Sequence, residues 1–540
     1  MRTGMKSTGY GGVFQAPNPQ PGRPNCIRAR VLPARSRWPH PRAVGYARGV
    51  RPATAHRARR AQGERSATVH APTQQPLAIA LPSPLRDVLA SGPVFANAFL
   101  VGGCVRDALL GAAGNEFDVE VHGVSLETLV STLGRFGRTD VVGRSFGVVK
   151  LALPGVGEVD FSVPRRDSKV GAGHRGFAVE PDPGLSLREA AARRDFTVNA
   201  LLWDPRRGVV MDHWGGIADL HARVLRHTSE AFDEDPLRVL RAMQFVSRFD
   251  FTVATETLTR CRAMRPGHAE LPPDRVRAEW FKWASRSVHP SAGLRFLEDC
   301  GWLAHYPELA ALPGTPQDPG WHPEGDVWTH TLFALDALAG DPAWRHADEP
   351  SRIAWMLAVL LHDTGKPACT ARARHGAGTR IVSPGHEGEG ARLAPGFLAR
   401  IGAPGWTADR VVPLVAQHMA HLQAASGRAV RRLARRLEPE TIAGLAVIIR
   451  ADMAGRPPLP SAPPAELLEL LRIAESLRLA HDAPRRILLG RHLLELGRTP
   501  GPAIGRVLEE AFEAQLDGEF SDLHGALEWL GRHDGAPPPG

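Results

Sequence analysis

The sequence predicts an α+β protein in which a small mixed or largely antiparallel sheet with helices forms an N-terminal head, followed by an all-helical remainder. Three observations predict it. Between residues 97 and 163, short apolar strand patterns alternate with Gly turns and brief helical stretches. After about Ser229 the pattern changes to Ala, Leu and Arg at helical spacing, broken by Pro. The chain has 540 residues, 43% of them hydrophobic, which is enough for several cores.

Taken in order, residues 1 to 75 read as a disordered basic extension, rich in Pro, Gly and Ala and without apolar periodicity. They hold 14 of the 66 Lys and Arg and one of the 57 acids, which leaves 52 basic and 56 acidic residues for the rest. The net charge of +9 therefore belongs to the extension, and the folded part has no basic excess. The head, residues 76 to 228, opens with an apolar strand from Asn97 to Val101, a turn at Gly102 and Gly103, and a helix from Val105 to Leu110 ending at Gly111. The alternating Phe117, Val119 and Val121 predict a strand, Leu126 to Leu133 a helix, and Val148 to Leu153 and Glu158 to Val163 two further strands. A helical neck follows over 229 to 310. Breaks rich in Pro and Gly near 311 to 326 and 455 to 465 set off a metal-binding region at 311 to 455 and a C-terminal helical region at 456 to 540. No run of about 18 apolar residues is present and the N-terminus lacks the apolar core of a secretory signal, so a cytoplasmic protein without a membrane span is expected. Five scattered cysteines without CxxC spacing fit reduced thiols, so any metal must be held by His and carboxylates.

Two constellations carry chemistry. In the first, Gly102 and Gly103 stand between a strand and a helix start, where bare backbone N–H groups can approach a triphosphate and Arg106 can neutralise it. Paired glycines at a turn can equally be structural. The next strand places Glu116, Asp118 and Glu120 on one face at period two, with Asp160 on a neighbouring strand. Such carboxylates repel unless a cation sits among them; the alternative is a solvated strand face. Two Mg²⁺ ions there would activate a 3′-hydroxyl and stabilise leaving pyrophosphate. The second constellation is His330, His362, Asp363 and Asp452, with His386 and His418 as further candidates, all within helical patterns. Imidazole and carboxylate donors suit Mn²⁺, Ni²⁺, Fe²⁺, Co²⁺ or Mg²⁺.

Four ordered stretches, Leu100 to Gly111 (LVGGCVRDALLG), Glu116 to Gly123 (EFDVEVHG), Arg193 to Leu201 (RRDFTVNAL) and Glu234 to Phe245 (EDPLRVLRAMQF), closely resemble the class II tRNA nucleotidyltransferases, the CCA-adding enzymes of the poly(A) polymerase superfamily. The resemblance implies tRNA, ATP and CTP as partners and Mg²⁺ held by Glu116, Asp118 and Asp160. It also implies triphosphate contacts from Gly102, Gly103 and Arg106, ribose recognition by Arg194 and Asp195, and a protein template for the base made by Asp235 and Arg238, with Arg241 beside them. Asp274-Arg275-Val276 through Glu279 resembles the family's helix-stabilising neck motif. Asp235 could alternatively cap the helix that starts near Pro236. The family usually presents Asp-x-Asp where this chain has Glu116-Phe117-Asp118, so the working pair could be Asp118 with Glu120. The string Leu361-His362-Asp363-Thr364-Gly365-Lys366 resembles the HD phosphohydrolase superfamily, which implies a divalent transition metal or Mg²⁺ at that site and hydrolysis of 2′,3′-cyclic phosphates or 2′-nucleotides.

Overall fold

The computed structural model describes residues 72 to 533, apart from 113, 115, 143–146, 170–176, 377 and 424. Most of the expected extension, through residue 71, lies outside the described residues. Its last four residues do not, and three of them belong to an edge strand, β1 (Thr73–Pro76), which pairs antiparallel with a later strand at Val209–Asp212. Four polar-flanked residues carry no hydrophobic period, so only the partner strand reveals them.

The head sheet continues with β2 (Ala98–Val101), β3 (Asp118–Val121), β4 (Thr139–Val142), β5 (Val148–Leu153) and β6 (Gly157–Ser162). A separate hairpin, β7 (Arg165–Lys169) with β8 (Phe177–Pro181), precedes β9 (Leu202–Asp204) and β10 (Val209–Asp212). The eight strands of the main sheet lie in the order β1-β10-β9-β2-β3-β6-β5-β4. Every neighbouring pair is antiparallel except β3 with β6. The β3–β6 register sets Asp118 opposite Asp160.

Alternation buries Leu100, Val119, Val121, Val149, Leu151, Val159 and Phe161 against Leu129 and Leu133 of the helix Leu126–Leu133. Each such side chain contributes roughly 1.5–3 kcal/mol by leaving water. Ser125 caps that helix by accepting from the Thr128 amide.

The helical part shares one long apolar core running from Phe196 to Ala480. Its large members are Trp280, Trp283, Trp302 and Tyr306, fully buried, and their polar ends are matched: Trp280 donates to Tyr306 Oη at 2.9 Å, Trp302 to the Cys261 carbonyl at 2.8 Å and Trp283 to the Pro290 carbonyl at 3.2 Å. Two β elements interrupt the helices, the short strand Thr252–Val253, which pairs parallel with Val224–Leu225, and the hairpin Ala371–His375 with Gly378–Val382; the helical pattern anticipates neither. A smaller third core gathers Leu488, Leu493, Ala511, Phe520 and Trp529.

The basic stretch Arg428 to Arg436 lies on the helix Gly427–Leu437 and is turned largely toward the C-terminal helix Pro502–Asp517. Arg428 and Arg432 pair with Asp517, Arg432 also with Glu513 at 3.0 Å, and Arg431 donates to the Leu516 carbonyl. No helix among the described residues is long and apolar enough to cross a membrane.

Candidate functional site

A cleft of about 400 Å³ in the head gathers residues that lie far apart in sequence: Gly102, Gly103, Arg106, Asp118, Arg194, Asp195, Asp235, Arg238 and Arg241, together with Asn199, Phe245 and Arg275. At its entrance Gly102 adopts φ +73°, a left-handed conformation that a side chain would strain, and a Cβ there would lie 3.2 Å from Arg194 Nη1. The turn therefore brings backbone and guanidinium together.

Asp118 begins β3 and is open to the cleft, with Asp160 beside it across the parallel ladder. Loss of hydration around its carboxyl raises the Asp118 pKa; Arg194 opposes that shift, and the negative charges of Asp160 and Glu116 add to it. Glu116 precedes the strand and is exposed. Two in-register carboxylates with a third close by fit a hard divalent cation such as Mg²⁺.

Glu120, two residues along the same face, is buried and committed elsewhere: its oxygens meet His122 Nε2 at 3.0 Å and Arg194 Nη2 at 3.1 Å. Burial alone would raise its pKa, but the bonds and charges of His122 and Arg194 outweigh burial and hold it low. Glu120 thus orients Arg194, and an Asp118 and Glu120 pair of metal ligands would require breaking both contacts.

Behind the cleft a polar chain fixes the arginines. Arg106, 4% exposed, donates to Asn199 Oδ1 at 2.6 Å and to Asp107 at 2.8 Å, and its guanidinium lies 4.6 Å from the Phe249 ring centroid. Asp195 accepts from Asn199 at 2.9 Å, from the Phe196 amide at 2.8 Å and from Arg241 Nε at 2.7 Å. Burial works against this carboxylate, but Arg241 and Asn199 keep its pKa below the ordinary value. Asp235 accepts from the Leu237 amide at 3.1 Å, as a helix start requires, and pairs with Arg275 at 2.7 Å. Arg238 donates to the carbonyls of Ala231 at 2.6 Å and Arg193 at 2.8 Å. Asn199 and His122 have no role in the sequence reading, and Arg275 has one only as part of the neck motif; a polar Asn inside the apolar run Phe196 to Leu201 is the one local signal for the first.

The helical part brings His330, His362, Asp363, His386, His418 and Asp452 into a second, buried cluster. The helix Val327–Gly340 supplies His330 and the helix Ile442–Ala454 supplies Asp452. His362 ends the helix Glu349–Leu361, His386 begins His386–Arg400, and His418 ends Gly405–Gln417.

The outer nitrogens are all engaged: Nδ1 of His362, His386 and His418 lies 2.7–2.8 Å from the carbonyls of Val359, Ser383 and Val415. Nδ1 of His330 meets Glu324 Oε1 at 2.8 Å. Carbonyls and carboxylates only accept, so each Nδ1 carries a hydrogen and each Nε2 faces inward as a donor atom for a metal. That tautomer and the mixed N and O donors fit a divalent transition metal. Glu324 also receives His322 at 2.8 Å; burial would raise its pKa, but the two histidine hydrogen bonds bring it down to about 2. Lys366 Nζ lies 2.7 Å from both Asp363 and Gln317. Lys366 ends the string Leu361 to Lys366 and Glu324 falls in the Pro- and Gly-rich break at 311 to 326, both without an assigned role, because their parts depend on which way neighbouring helices turn.

A sheet carrying paired carboxylates beneath a glycine turn, joined to a helical body, defines a nucleotidyltransferase head. Residues 98 to 226 match the family described as the Poly A polymerase head domain. The chain is 35% identical over 429 residues to the Multifunctional CCA protein of Stenotrophomonas maltophilia, covering 76% of this chain and 97% of that relative. It is 38% identical over 338 residues to the protein of the same name from Azoarcus sp., covering 61% and 76% respectively. In structure it is similar to the Thermotoga maritima CCA-adding enzyme complexed with tRNA, with a TM-score of 0.52 at 21% identity, covering 85% of this chain and 99% of that one. The Bacillus stearothermophilus CCA-adding enzyme in complex with CTP gives a TM-score of 0.54 at 20% identity over 84% and 100% of the two chains. The chain belongs to the multifunctional CCA protein family of class II tRNA nucleotidyltransferases.

Proposed function

We propose that this chain adds C, C and A to the 3′ end of tRNA from CTP and ATP, without a nucleic-acid template. The observation that carries the reading is that Asp118, in register with Asp160 on the neighbouring strand, lines a cleft together with Asp235 and Arg238. Mg²⁺ bound by Glu116, Asp118 and Asp160 would supply activation of the 3′-hydroxyl and charge stabilisation at the leaving pyrophosphate.

The chain's own residues do the rest. The backbone at Gly102 and Gly103 leaves room for the triphosphate, and Arg106 and Arg194 offer positive charge to it, each held in place by a fixed partner. Asp195, with Arg194, faces the ribose and keeps Arg241 oriented. Asp235 accepts from the exocyclic amine of C or A and Arg238 donates to the ring acceptor, a pairing that rejects U and G. For this, Asp235 must leave Arg275 and Arg238 must leave two carbonyls. The reading takes 76 to 228 as the catalytic head, 229 to 310 as a neck that contacts tRNA by shape and backbone, 311 to 455 as an HD-type metal domain and 456 to 540 as C-terminal helices.

Incorporation of labelled CTP and ATP into tRNA transcripts ending before CCA, after C and after CC tests this. Ordered addition that stops after the terminal A is expected. Long A-tracts would replace the proposal with poly(A) synthesis, one nucleotide type alone with a partial-end enzyme, and no incorporation with an inactive head.

The buried histidine cluster favours a second activity beside the first: metal-dependent hydrolysis of 2′,3′-cyclic phosphates or 2′-nucleotides. Turnover of 2′,3′-cyclic AMP with Mn²⁺, Co²⁺ or Ni²⁺ that disappears in His362→Ala is expected, and absence of turnover with all of these ions would remove it.

A further inference from the structure

We propose that Trp321 is a stacking platform for the nucleobase of the phosphoester handled at the buried histidine cluster, so that this site prefers nucleotides to phosphate esters without a base. The proposal rests on the reading of the cluster as a hydrolytic site and adds to it the part of the substrate that is recognised.

Trp321 is set apart by its exposure. Trp280, Trp283 and Trp302 are fully buried, whereas Trp321 keeps 57% of its surface open, the most of any tryptophan among the described residues. An indole left in water forgoes the burial that gives such a ring its worth in a core, but it keeps a flat π-face on which any base can stack.

The ring is nonetheless held. The backbone N–H groups of Trp321 and His322 both donate to the Asp318 carbonyl, at 3.1 and 2.8 Å, and Gly320 donates to Asp318 Oδ1 at 3.0 Å, which closes the chain into a tight turn. Arg380, on the strand Gly378–Val382, sets its guanidinium carbon 5.9 Å from the Trp321 ring centroid and its Nε 3.8 Å from Asp318 Oδ2. A ring fixed in advance loses little freedom when a ligand stacks on it.

Both sides of this corner are rooted in the cluster. On the loop side, His322 follows Trp321 directly and shares Glu324 Oε1 with His330, each at 2.8 Å, with the two rings 4.8 Å apart. Gln317, a little earlier in the same loop, accepts from Lys366 at 2.7 Å, and that ammonium also lies 2.7 Å from Asp363. On the hairpin side, the Ser383 hydroxyl meets Thr370 Oγ1 at 2.8 Å, and the Ser383 carbonyl accepts from His386 Nδ1 at 2.8 Å. Trp321 and Arg380 therefore sit a few residues from side chains that bond the cluster, and they meet each other beside it. His322 and Lys366 are 16% and 10% exposed, so solvent reaches the cluster's surroundings on this side. A nucleotide whose phosphate enters past them would carry its base outward to the open indole, with Lys366 and Arg380 offering positive charge to the anion along the way.

Steady-state hydrolysis by the full-length chain with Mn²⁺ tests this with two substrates: 2′,3′-cyclic AMP, and glycerol 1,2-cyclic phosphate, which presents a five-membered cyclic phosphodiester without a base. Trp321→Ala should raise KM for 2′,3′-cyclic AMP about 5- to 150-fold, the loss of one base–aromatic stack, with kcat nearly unchanged. Both constants for the base-free ester should stay at the parent value, and Trp321→Phe should recover most of the lost affinity. An equal loss on both esters would assign Trp321 to the folding of its loop, and an unchanged KM for 2′,3′-cyclic AMP would remove the stack; either result overturns the proposal. If the parent hydrolyses neither ester, the hydrolytic reading falls, and titration calorimetry with 2′,3′-cyclic AMP decides the platform by itself. Weaker binding to Trp321→Ala than to the parent would retain it, and equal binding would overturn it.

Discussion

Asp118 carries two opposed demands, since the charge that attracts a cation costs stability when no cation is present. Its pKa is raised, so its contribution to stability is present below the unfolded value of about 3.8 and is lost as pH rises through the higher folded value. At neutral pH and without metal, Asp118→Asn should therefore raise Tm while lowering nucleotide incorporation at least about a thousandfold, the scale of several kcal/mol of metal-borne charge stabilisation. Thermal melts with and without Mg²⁺ check this: Mg²⁺ should raise the parent's Tm and leave the variant's nearly unchanged. Glu116 sets its carboxyl one methylene farther out than an Asp. Glu116→Asp should keep kcat at or above the parent value and Glu116→Ala should lower it at least about tenfold, measured with CTP on a transcript lacking CCA. Asp195 shows the opposite balance. It is buried and its pKa is lowered, so its stabilising contribution is full above the unfolded value near 3.8 and is lost as pH falls through the folded one. Asp195→Ala leaves the largely buried Arg241 without its closest partner, and denaturant unfolding should register a loss of about 3–5 kcal/mol at neutral pH.

At the scale of elements, the neck helices meet through missing side chains. Gly293 in the helix Pro290–Asp299 packs on the helix Leu237–Phe249, where an added Cβ would sit 2.2 Å from Ser247 Oγ and 2.5 Å from the Met243 carbonyl. Gly293→Ala should cost about 1–3 kcal/mol or more, because backbone and a buried hydroxyl must move. Gly340 ends the helix Val327–Gly340 with nothing within 4 Å of an added Cβ, and Gly340→Ala should instead stabilise by about 0.4–1 kcal/mol. Parallel unfolding curves of the two variants separate steric approach from glycine entropy. The helix Leu237–Phe249 also shows how one element serves both packing and site: Leu240, Met243 and Phe245 are buried in the core, while Arg238 and Arg241 line the cleft.

For the whole molecule, the question of where basic charge is spent has a structural answer in one segment. Arg428 and Arg432 bind Asp517 and Glu513 of the helix Pro502–Asp517, so Arg428→Ala with Arg432→Ala should loosen that helix slightly, as the loss of solvent-exposed pairs does. Hydrogen exchange over 502 to 517 should rise, with the salt dependence of tRNA binding unchanged; a lower salt slope would assign those arginines to phosphates instead. Much of this protein was legible in the sequence because its signals are local. Period two placed Asp118 on a strand with its apolar neighbours inward, glycine pairs marked the turn, and the helical spacing after Ser229 separated body from head. The strand Thr73–Pro76, the hairpin Ala371–Val382 and the pairing of Arg428 and Arg432 with the helix Pro502–Asp517 were not legible, since short polar strands and charge runs have no period of their own. Sequence by itself determined the strand of Asp118, the glycine turn and the helical texture after Ser229, and it named candidate residues that the fold gathers in a cleft and in a buried cluster. Only the tertiary structure decided that Glu120 binds Arg194 and His122, that Asp235 is held by Arg275, and that six candidate ligands, His330, His362, Asp363, His386, His418 and Asp452, meet in one buried cluster. Those outcomes depend on distances between segments tens to hundreds of residues apart, which packing fixes and local pattern does not encode.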